Sequence, residues 1–410
     1  MTRILVYSHD TFGLGNIRRM IAISEALTAA DPRANVLLLS GSPVLHAFRM
    51  PPRIDYVKLP CLARDTKGVY GVKYLDLDYP AALRLRSSLI VSAANEFEPD
   101  IVLVDKKPIG VAGELQAALD LLSARDRPPR VYLVLRDILD DPQLTQAIWE
   151  RHRYHDVIAR YYSGVLIAGC ASVFDLAQEY AFPESTSAMS EYVGYLHRES
   201  GRRTRDEVRA DLDLKGLPLV LVQAGGGGDG APLIEAFIEG LRVRQGAPPF
   251  FSWIVTGPEM ENAERERLRA LASALPQVRF DDFSDDMTSC IDAADAVVSM
   301  GGYNTVCEVL SLQKPALIVP RNRPVREQAI RAARMAKHGY VDYIPENELR
   351  PETLIAGAEK LVTNGARQLT ARTGLAFEGL RRIAEVVCEG APLRPILATA
   401  GGHQKCATEA

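Results

Sequence analysis

Along the chain, apolar runs of strand length alternate with amphipathic runs of helix length, the pattern of parallel βαβ units. In the first half this predicts strands over residues 3–8, 35–39, 101–105, 131–135 and 164–168, and in the second half over 219–223, 251–256, 278–280, 296–299 and 316–320. The two halves open alike. Ile4-Leu5-Val6-Tyr7 leads into a loop with Gly13 and Gly15 and then a helical stretch, and Leu219 to Val222 leads into Gly225-Gly226-Gly227-Gly228-Asp229-Gly230 and then another. The fold class that follows is α/β, with two Rossmann-like doubly wound domains facing a central cleft at their strand C-terminal ends. The expected organisation is an N-terminal domain over 1–196, a linker over 197–215, a C-terminal domain over 216–368, a helix over 369–390 and a frayed tail over 391–410. The linker assignment rests on Arg202-Arg203-Thr204-Arg205-Asp206-Glu207, a charge run of the kind that is usually solvated.

A length of 410 residues agrees with two domains, and 47% apolar with 24% charged residues is the balance of a water-soluble globular protein. Lys and Arg number 48 against 52 Asp and Glu, which leaves no electrostatic footprint for nucleic acid. Six scattered cysteines without CxxC spacing read as reduced thiols in the cytoplasm. No signal peptide and no membrane-spanning run is read, so a membrane would be met peripherally, at the inner face. The stretch 79–89, with Arg84 and Arg86, is the segment considered for acceptor or membrane contact, an ordinary amphipathic helix being its bland alternative.

Glycines after a strand let the backbone approach an anion closely, and the following helix aims amides and a positive dipole end at it. Gly225, Gly226, Gly227 and Gly228 therefore form a phosphate- or sugar-facing loop, where one or two glycines would suffice for a tight turn. Gly13-Leu14-Gly15-Asn16-Ile17-Arg18 lacks the third glycine of a dinucleotide fingerprint, and no acid ends the second strand to hold an adenosine ribose, which argues against a nicotinamide site. The third glycine turn is Ser299-Met300-Gly301-Gly302-Tyr303-Asn304-Thr305-Val306-Cys307-Glu308. Its helix start would cradle a pyrophosphate with Asn304 and Thr305, and Glu308, a turn further on, would accept vicinal ribose hydroxyls. The alternative for Glu308 is a surface acid pairing with Lys314 or capping the helix. Arg321-Asn322-Arg323-Pro324-Val325-Arg326-Glu327-Gln328 adds cations and an acid-amide pair. Asp76-Leu77-Asp78 and Asp211-Leu212-Asp213 spell DxD, but that metal motif belongs with a single central sheet, so no metal site is assigned.

SMGGYNTVCEVLSLQKPALIVPRNRPVREQ resembles the donor-binding signature of GT-B glycosyltransferases, in the family 28-like group of the peptidoglycan lipid-linked N-acetylglucosaminyltransferase, with matches at Gly301, Gly302, Thr305, Glu308, Pro315, Pro320 and Gln328. YSHDTFGLGNIRR, Asp105-Lys106-Lys107-Pro108 and Leu135-Arg136-Asp137 resemble a less characterised bacterial branch of predicted glycosyltransferases. The resemblance implies that Glu308 binds the ribose of a UDP-sugar, that Gly301, Gly302, Tyr303, Asn304 and Thr305 hold the diphosphate, and that Glu327 and Gln328 face the sugar. It implies a uracil pocket at Thr256, Gly257, Asp282 and Phe283, diphosphate stabilisation by Arg321 or Arg323, and an acceptor-side loop with Gly13, Gly15 and Arg18. It also implies a final helix that crosses back onto the N-terminal domain.

At Asn16 the relatives usually carry a histidine, often proposed as the base. An amide takes no proton at neutral pH, so His9, Asp10 or Asp137 is expected to do this work, or the acceptor needs little activation. The expected reaction is an inverting, metal-independent transfer of a hexose or N-acetylhexosamine from a UDP-sugar to the hydroxyl of an unknown acceptor. No cofactor is expected beside the UDP-sugar co-substrate. The competing readings are a UDP-sugar hydrolase or 2-epimerase on the same fold, and an inactive sugar-nucleotide-binding protein.

Overall fold

A computed structural model of the protein describes residues 1–9, 15–64, 70–275, 277–364 and 374–396. The chain divides into two compact units, Met1–Leu196 with the segment from Ala376 onward, and His197–Leu375.

In the first unit the strands are β1 (Thr2–Ser8), β2 (Ala34–Ser40), β3 (Ile54–Lys58), β4 (Leu62–Arg64), β5 (Tyr70–Val72), β6 (Ile101–Asp105), β7 (Arg130–Arg136), β8 (Gly164–Ala168) and β9 (Ser190–Tyr192). Seven of them form one sheet in the order β3-β2-β1-β6-β7-β8-β9, and all its pairings are parallel. β4 and β5 make a separate antiparallel hairpin. Ile101–Asp105 and Gly164–Ala168 are buried along their whole length, because helices cover both faces of a parallel sheet and a central strand there has no solvent side.

The second unit repeats the plan with β10 (Leu219–Gln223), β11 (Phe251–Val255), β12 (Val278–Asp281), β13 (Ala296–Ser299), β14 (Ala316–Ile318) and β15 (Asp342–Tyr343), in the order β12-β11-β10-β13-β14-β15. Its core joins Val220, Val222, Ile254 and Val298 of the sheet to Phe237 and Ile238 of helix Ala231–Val243 and to Leu354 and Ile355 of helix Pro351–Asn364. Strand order reverses between β1 and β6 in one unit and between β10 and β13 in the other. Crevices for ligands form at the carboxyl ends of strands beside such a reversal.

Every strand read from the apolar pattern is present, four of them with the same bounds and the others within two residues at either end. The strands it did not predict are β3, β4, β5, β9 and β15. They are edge or hairpin strands of two to five residues, with too few buried positions for a period to show.

The stretch 197–215, expected as a linker, falls within the second unit, and its charge run is largely exposed, as expected of a solvated helix face. Thr204 and Glu207 form a capping box at helix Arg205–Ala210. Arg202 reaches Asp285 at 2.6 Å and Arg203 reaches Asp211 at 2.6 Å, while Arg205 and Arg209 both grip Asp295. Apart from Arg203 with Asp211, these ion pairs join residues 83 to 90 positions apart, which makes the stretch a seam. At the other end, the helix expected over 369–390 runs as Gly379–Val387 among the described residues, packed on helix Gly15–Ala30 of the first unit. Residues 391–396, expected to fray, are tied down: Arg394 N donates to Glu191 Oε2 at 2.9 Å and Ile396 N to Ser190 O at 2.9 Å. Residues 397–410 lie outside the described residues.

Candidate functional site

In the second unit Gln223, the last residue of β10, stands opposite Ser299, the last of β13. The glycine loop after β10 and the glycine pair after β13 thus leave the sheet side by side at the strand reversal. Gly225, Gly227, Gly257 and Gly301 have φ of +66°, +95°, +95° and +74°, a backbone region open to glycine at little cost. At Gly227 and Gly257 space also forbids a side chain. A Cβ on Gly227 would lie 2.4 Å from Thr256 O, and one on Gly257 would lie 2.5 Å from Gly225 O. The loops after β10 and β11 therefore lock backbone to backbone, with Glu259 N donating to Gly226 O at 2.7 Å, and Gly257 N ties the second of them to the segment after β12 by donating to Asp282 O at 2.9 Å. Thr256 Oγ1 also donates to Asp282 O, at 3.2 Å. Other glycines face open room: a Cβ on Gly225 would meet nothing within 4 Å, and one on Gly302 only Gln328 Nε2 at 3.9 Å.

Helix Tyr303–Ser311 starts at this turn, with Gly302 as an N-cap that supplies no side-chain oxygen. Its positive dipole end is directed at the turn, the geometry that favours an anion. Tyr303, Asn304, Thr305 and Glu308 are all buried. Glu308 is only 1% exposed, and Lys314 pairs with Asp292 at 3.1 Å, so the surface-acid alternative for Glu308 does not hold.

Helix Glu327–Lys337 closes the turn from another side. Arg331, missed in the sequence reading, is fully buried. It donates to Gly301 O at 3.1 Å and to Glu327 Oε2 at 2.8 Å, and its guanidinium lies 5.7 Å from the centre of the Tyr303 ring. One side chain thereby fixes the glycine pair, the first residue of the anion-facing helix and the acid expected to face the sugar. Its place one turn after Glu327 was visible in the sequence, but its target lies thirty residues upstream and needed the fold. Gln328 Oε1 accepts from Arg321 N at 3.3 Å. The Arg321 side chain donates to Arg323 O at 3.0 Å and forms an ion pair with Asp229 of the glycine loop, Nε to Oδ2 at 2.5 Å; Arg323 itself is exposed. Phe283 is half exposed, and beyond it a cavity opens between the loop after β12 and the segment before β10, lined by Arg202, Trp253, Phe283 and Cys290 among others.

In the first unit the carboxyl ends of β1 and β6 meet in the same way. His9, directly after β1, is fully buried, and among the described residues neither ring nitrogen has a hydrogen-bond partner. Burial, reinforced by Lys106, Lys107, Arg86 and Arg136, holds its pKa well below the usual imidazole value, so the ring is neutral at pH 7. His9 N donates to Asp105 Oδ2 at 3.2 Å, and Arg19 forms a buried ion pair with the same carboxylate. Asn16 Nδ2 donates to His9 O, and Asn16 Oδ1 accepts from Arg19 Nη2 at 3.1 Å. Asn16 is therefore a brace that links the end of β1 to the Arg19–Asp105 pair. Gly15 begins the helix after the loop, and Arg18 on its first turn is partly exposed. Asp137 is buried, accepting from Ile138 N at 2.8 Å and from Tyr195 OH at 3.4 Å. Asp10 and Gly13 lie outside the described residues.

Arg86 is no surface contact. It is fully buried, with two hydrogen bonds to Glu114 at 2.6 and 2.7 Å and one to Pro60 O at 2.6 Å; Arg84 is exposed. Asp78 is the N-cap of helix Tyr79–Phe97, accepting from Ala81 N at 2.6 Å, which accounts for half of the first DxD. Among the described residues no group of three His, Cys, Asp or Glu side chains is placed to hold a metal ion, and no helix is long and apolar enough to cross a membrane.

Comparison with known proteins agrees with this geometry. Residues 220–387 match the model of the glycosyltransferase family 28 C-terminal domain. Among curated proteins, the chain is 26% identical over 216 residues to the UDP-N-acetylglucosamine–N-acetylmuramyl-(pentapeptide) pyrophosphoryl-undecaprenol N-acetylglucosamine transferase of Rubrobacter xylanophilus, covering 51% of this chain and 61% of the relative. It is 28% identical over 179 residues to the enzyme of the same name from Glaesserella parasuis, covering 43% of this chain and 49% of the relative. The chain thus spans between half and three fifths of the length of these relatives. Of solved structures, Acinetobacter baumannii MurG superposes with a TM-score of 0.61 at 17% identity, covering 95% of this chain and all of that one. The calicheamicin glycosyltransferase CalG4 gives a TM-score of 0.59 at 14% identity over 93% of this chain and 94% of its own. A putative UDP-N-acetylglucosamine 2-epimerase from Listeria monocytogenes gives 0.61 at 15% identity, over 94% of each chain. These likenesses establish the fold as GT-B, with two Rossmann-like domains. The resemblance read at Gly301, Gly302, Thr305 and Glu308 falls inside the matched segment, so residues 220–387 of this chain are similar to the glycosyltransferase family 28 C-terminal domain.

Proposed function

We propose that the protein is an inverting glycosyltransferase that moves a hexose or N-acetylhexosamine from a UDP-sugar to an acceptor hydroxyl without a metal ion. The observation that carries the reading is the turn Gly301–Gly302 at the strand reversal, open in front of Gly302 and followed by a helix whose dipole faces the turn and whose Glu308 is buried. In this reading the helix start and Arg321 take the charge that develops on the leaving diphosphate, the role oriented amides and cations fill at developing oxyanions. Glu308 accepts the ribose hydroxyls, and Glu327, held by Arg331, and Gln328 face the sugar.

The proton of the acceptor hydroxyl goes to His9. Of the groups weighed for this step and described, His9 is the one that is neutral, buried and without a hydrogen-bond partner on its ring among the described residues; Asn16 and Asp137 are engaged in holding backbone. Similarity to the transferases of Rubrobacter and Glaesserella supports UDP-N-acetylglucosamine as the first donor to try, with a lipid-linked hydroxyl compound as acceptor at a peripheral membrane location. Tyr74, Leu75, Leu77 and Leu85, exposed around the start of helix Tyr79–Phe97, give the first unit an apolar face suited to such a surface.

The test is thermal unfolding with UDP, UDP-sugars, NAD and ATP, followed by turnover with and without EDTA. UDP and its sugars should raise the melting temperature, because a ligand of the native state stabilises it by mass action, and turnover should persist in EDTA. A larger shift with NAD overturns the donor assignment, and loss of turnover in EDTA that Mn²⁺ restores overturns metal independence. UDP release without an acceptor would favour the hydrolase or epimerase alternative.

A further inference from the structure

The glycine loop ends in an acid. Asp229 closes Gly225–Gly228, and its Oδ2 lies 2.5 Å from Nε of Arg321, whose side chain is largely buried. Arg321 is also held by Arg323 O through Nη1, and its amide by Gln328. The acid thus comes from the loop after β10 and the cation from the loop that follows β14, at the mouth of the turn where the proposed donor site needs positive charge. The other acid close by, Glu327, is committed to Arg331 at 2.8 Å. A carboxylate in contact with a diphosphate-binding cation is unfavourable once the diphosphate is present, because the two anions repel and share one counter-ion. In the unliganded protein the same carboxylate keeps a largely buried guanidinium from being left without a counter-charge.

We infer that Asp229 is an internal anion that occupies Arg321 while the donor site is empty and is displaced from it by the diphosphate of the nucleotide. The inference rests on the donor-site reading above and adds a residue that tunes the affinity for the nucleotide. Its consequence is kinetic as well as thermodynamic. Asp229 competes for Arg321 when UDP is the remaining product, so it weakens product binding and hastens release. A ligand that must first free its cation binds with an apparent affinity reduced by the fraction of molecules in which the cation is free. Burial raises the Asp229 carboxyl above the usual carboxylate value against the pull of Arg321, in keeping with a carboxylate that is held there at some cost.

Calorimetry with UDP on a double-mutant cycle tests this. Asp229→Asn should tighten UDP binding about tenfold, the gain expected if Arg321 is free in about a tenth of unliganded molecules. Arg321→Gln should weaken it, and Asp229→Asn should have no effect in the Arg321→Gln background, because the competition has lost its object. Inorganic pyrophosphate should show the same order of affinities. If Asp229→Asn leaves UDP affinity unchanged or weakens it while the wild type binds UDP, Asp229 is not a competing anion and the inference falls. Equal tightening in both backgrounds also overturns it, since that is general charge repulsion without Arg321. If the wild type and Asp229→Asn both bind neither UDP nor pyrophosphate while remaining folded by unliganded melting, the donor-site reading itself fails and the inference with it. Asp229→Ser, which also removes the charge, replaces Asp229→Asn should the amide variant not fold.

Discussion

At the scale of single residues, two side chains carry most of the chemistry proposed here, and each makes a measurable claim. Glu308 is buried one turn inside the helix proposed to hold the diphosphate, where one carboxylate could accept both ribose hydroxyls in charge-assisted bonds. Glu308→Ala should weaken UDP binding by about 1.5 to 3 kcal/mol, the range for hydrogen bonds to charged groups. Calorimetry with 2′-deoxy-UDP isolates the contact: the wild type should distinguish the two ligands and the mutant should not. His9 makes a claim about pH. Its folded pKa is depressed by burial and by Lys106, Lys107, Arg86 and Arg136, whereas in the unfolded chain it titrates near about 6.5. Below that pH the unfolded state binds the extra proton and the folded state resists it, so the stability this neutral histidine allows is complete above about pH 6.5 and is lost as pH falls towards the folded pKa. Urea midpoints at acid and neutral pH should therefore differ less in His9→Gln than in the wild type. The same substitution should lower kcat by about 10²-fold or more if His9 is the base, with UDP affinity nearly unchanged; an intact kcat would pass the role to Asp10 or Asp137.

At the scale of elements, the site is made where turns meet. The loop after β10 and the loop after β11 touch through backbone alone, at Gly227 against Thr256 and at Gly257 against Gly225 and Gly226. Gly257→Ala would put a methyl 2.5 Å from Gly225 O at a φ of +95°, so both space and backbone conformation oppose it. It should destabilise the protein by more than about 1 kcal/mol, seen as a lower melting temperature, and it should weaken UDP binding because the shifted loop is the one facing the diphosphate. A wild-type affinity in this variant would show that the loop is scaffold rather than site. Much of this was legible in the chain: a strand, a glycine run and a helix in that order announce a tight turn at the carboxyl end of the strand. The pairing of the turns was not, because Gly227 and Thr256 are brought together only by the parallel register of β10 beside β11. The partners of the charge run 202–207 were hidden for the same reason. Local sequence shows the arginines, and Asp285, Asp286 and Asp295, which make the run a seam, arrive from the second half of the unit.

At the scale of the whole molecule, the chain leaves its first unit at Leu196, builds the second, and returns from Ala376 to finish the first. The return is fixed by Tyr195 N donating to Ala376 O at 2.8 Å, Gly379 N to Tyr195 O at 3.0 Å, and a buried pair of Arg382 with Glu191 at 2.6 Å. The matched segment, 220–387, therefore ends inside the first unit, and the C-terminal helix, expected to cross back onto that domain, packs there on helix Gly15–Ala30. By itself the sequence determined the α/β class, the two doubly wound units and the glycine turns after β10 and β13, because each is written in a short window through hydrophobic period or glycine content. Only the tertiary structure decided that Asn16 braces His9 and Arg19, that Arg331 holds Gly301 and Glu327, that Asp229 lies on Arg321, and that Arg86 is buried against Glu114. In each case the role belongs to a polar side chain whose partner is set by packing, and a charged residue looks the same in sequence whether solvent or a buried carboxylate receives it.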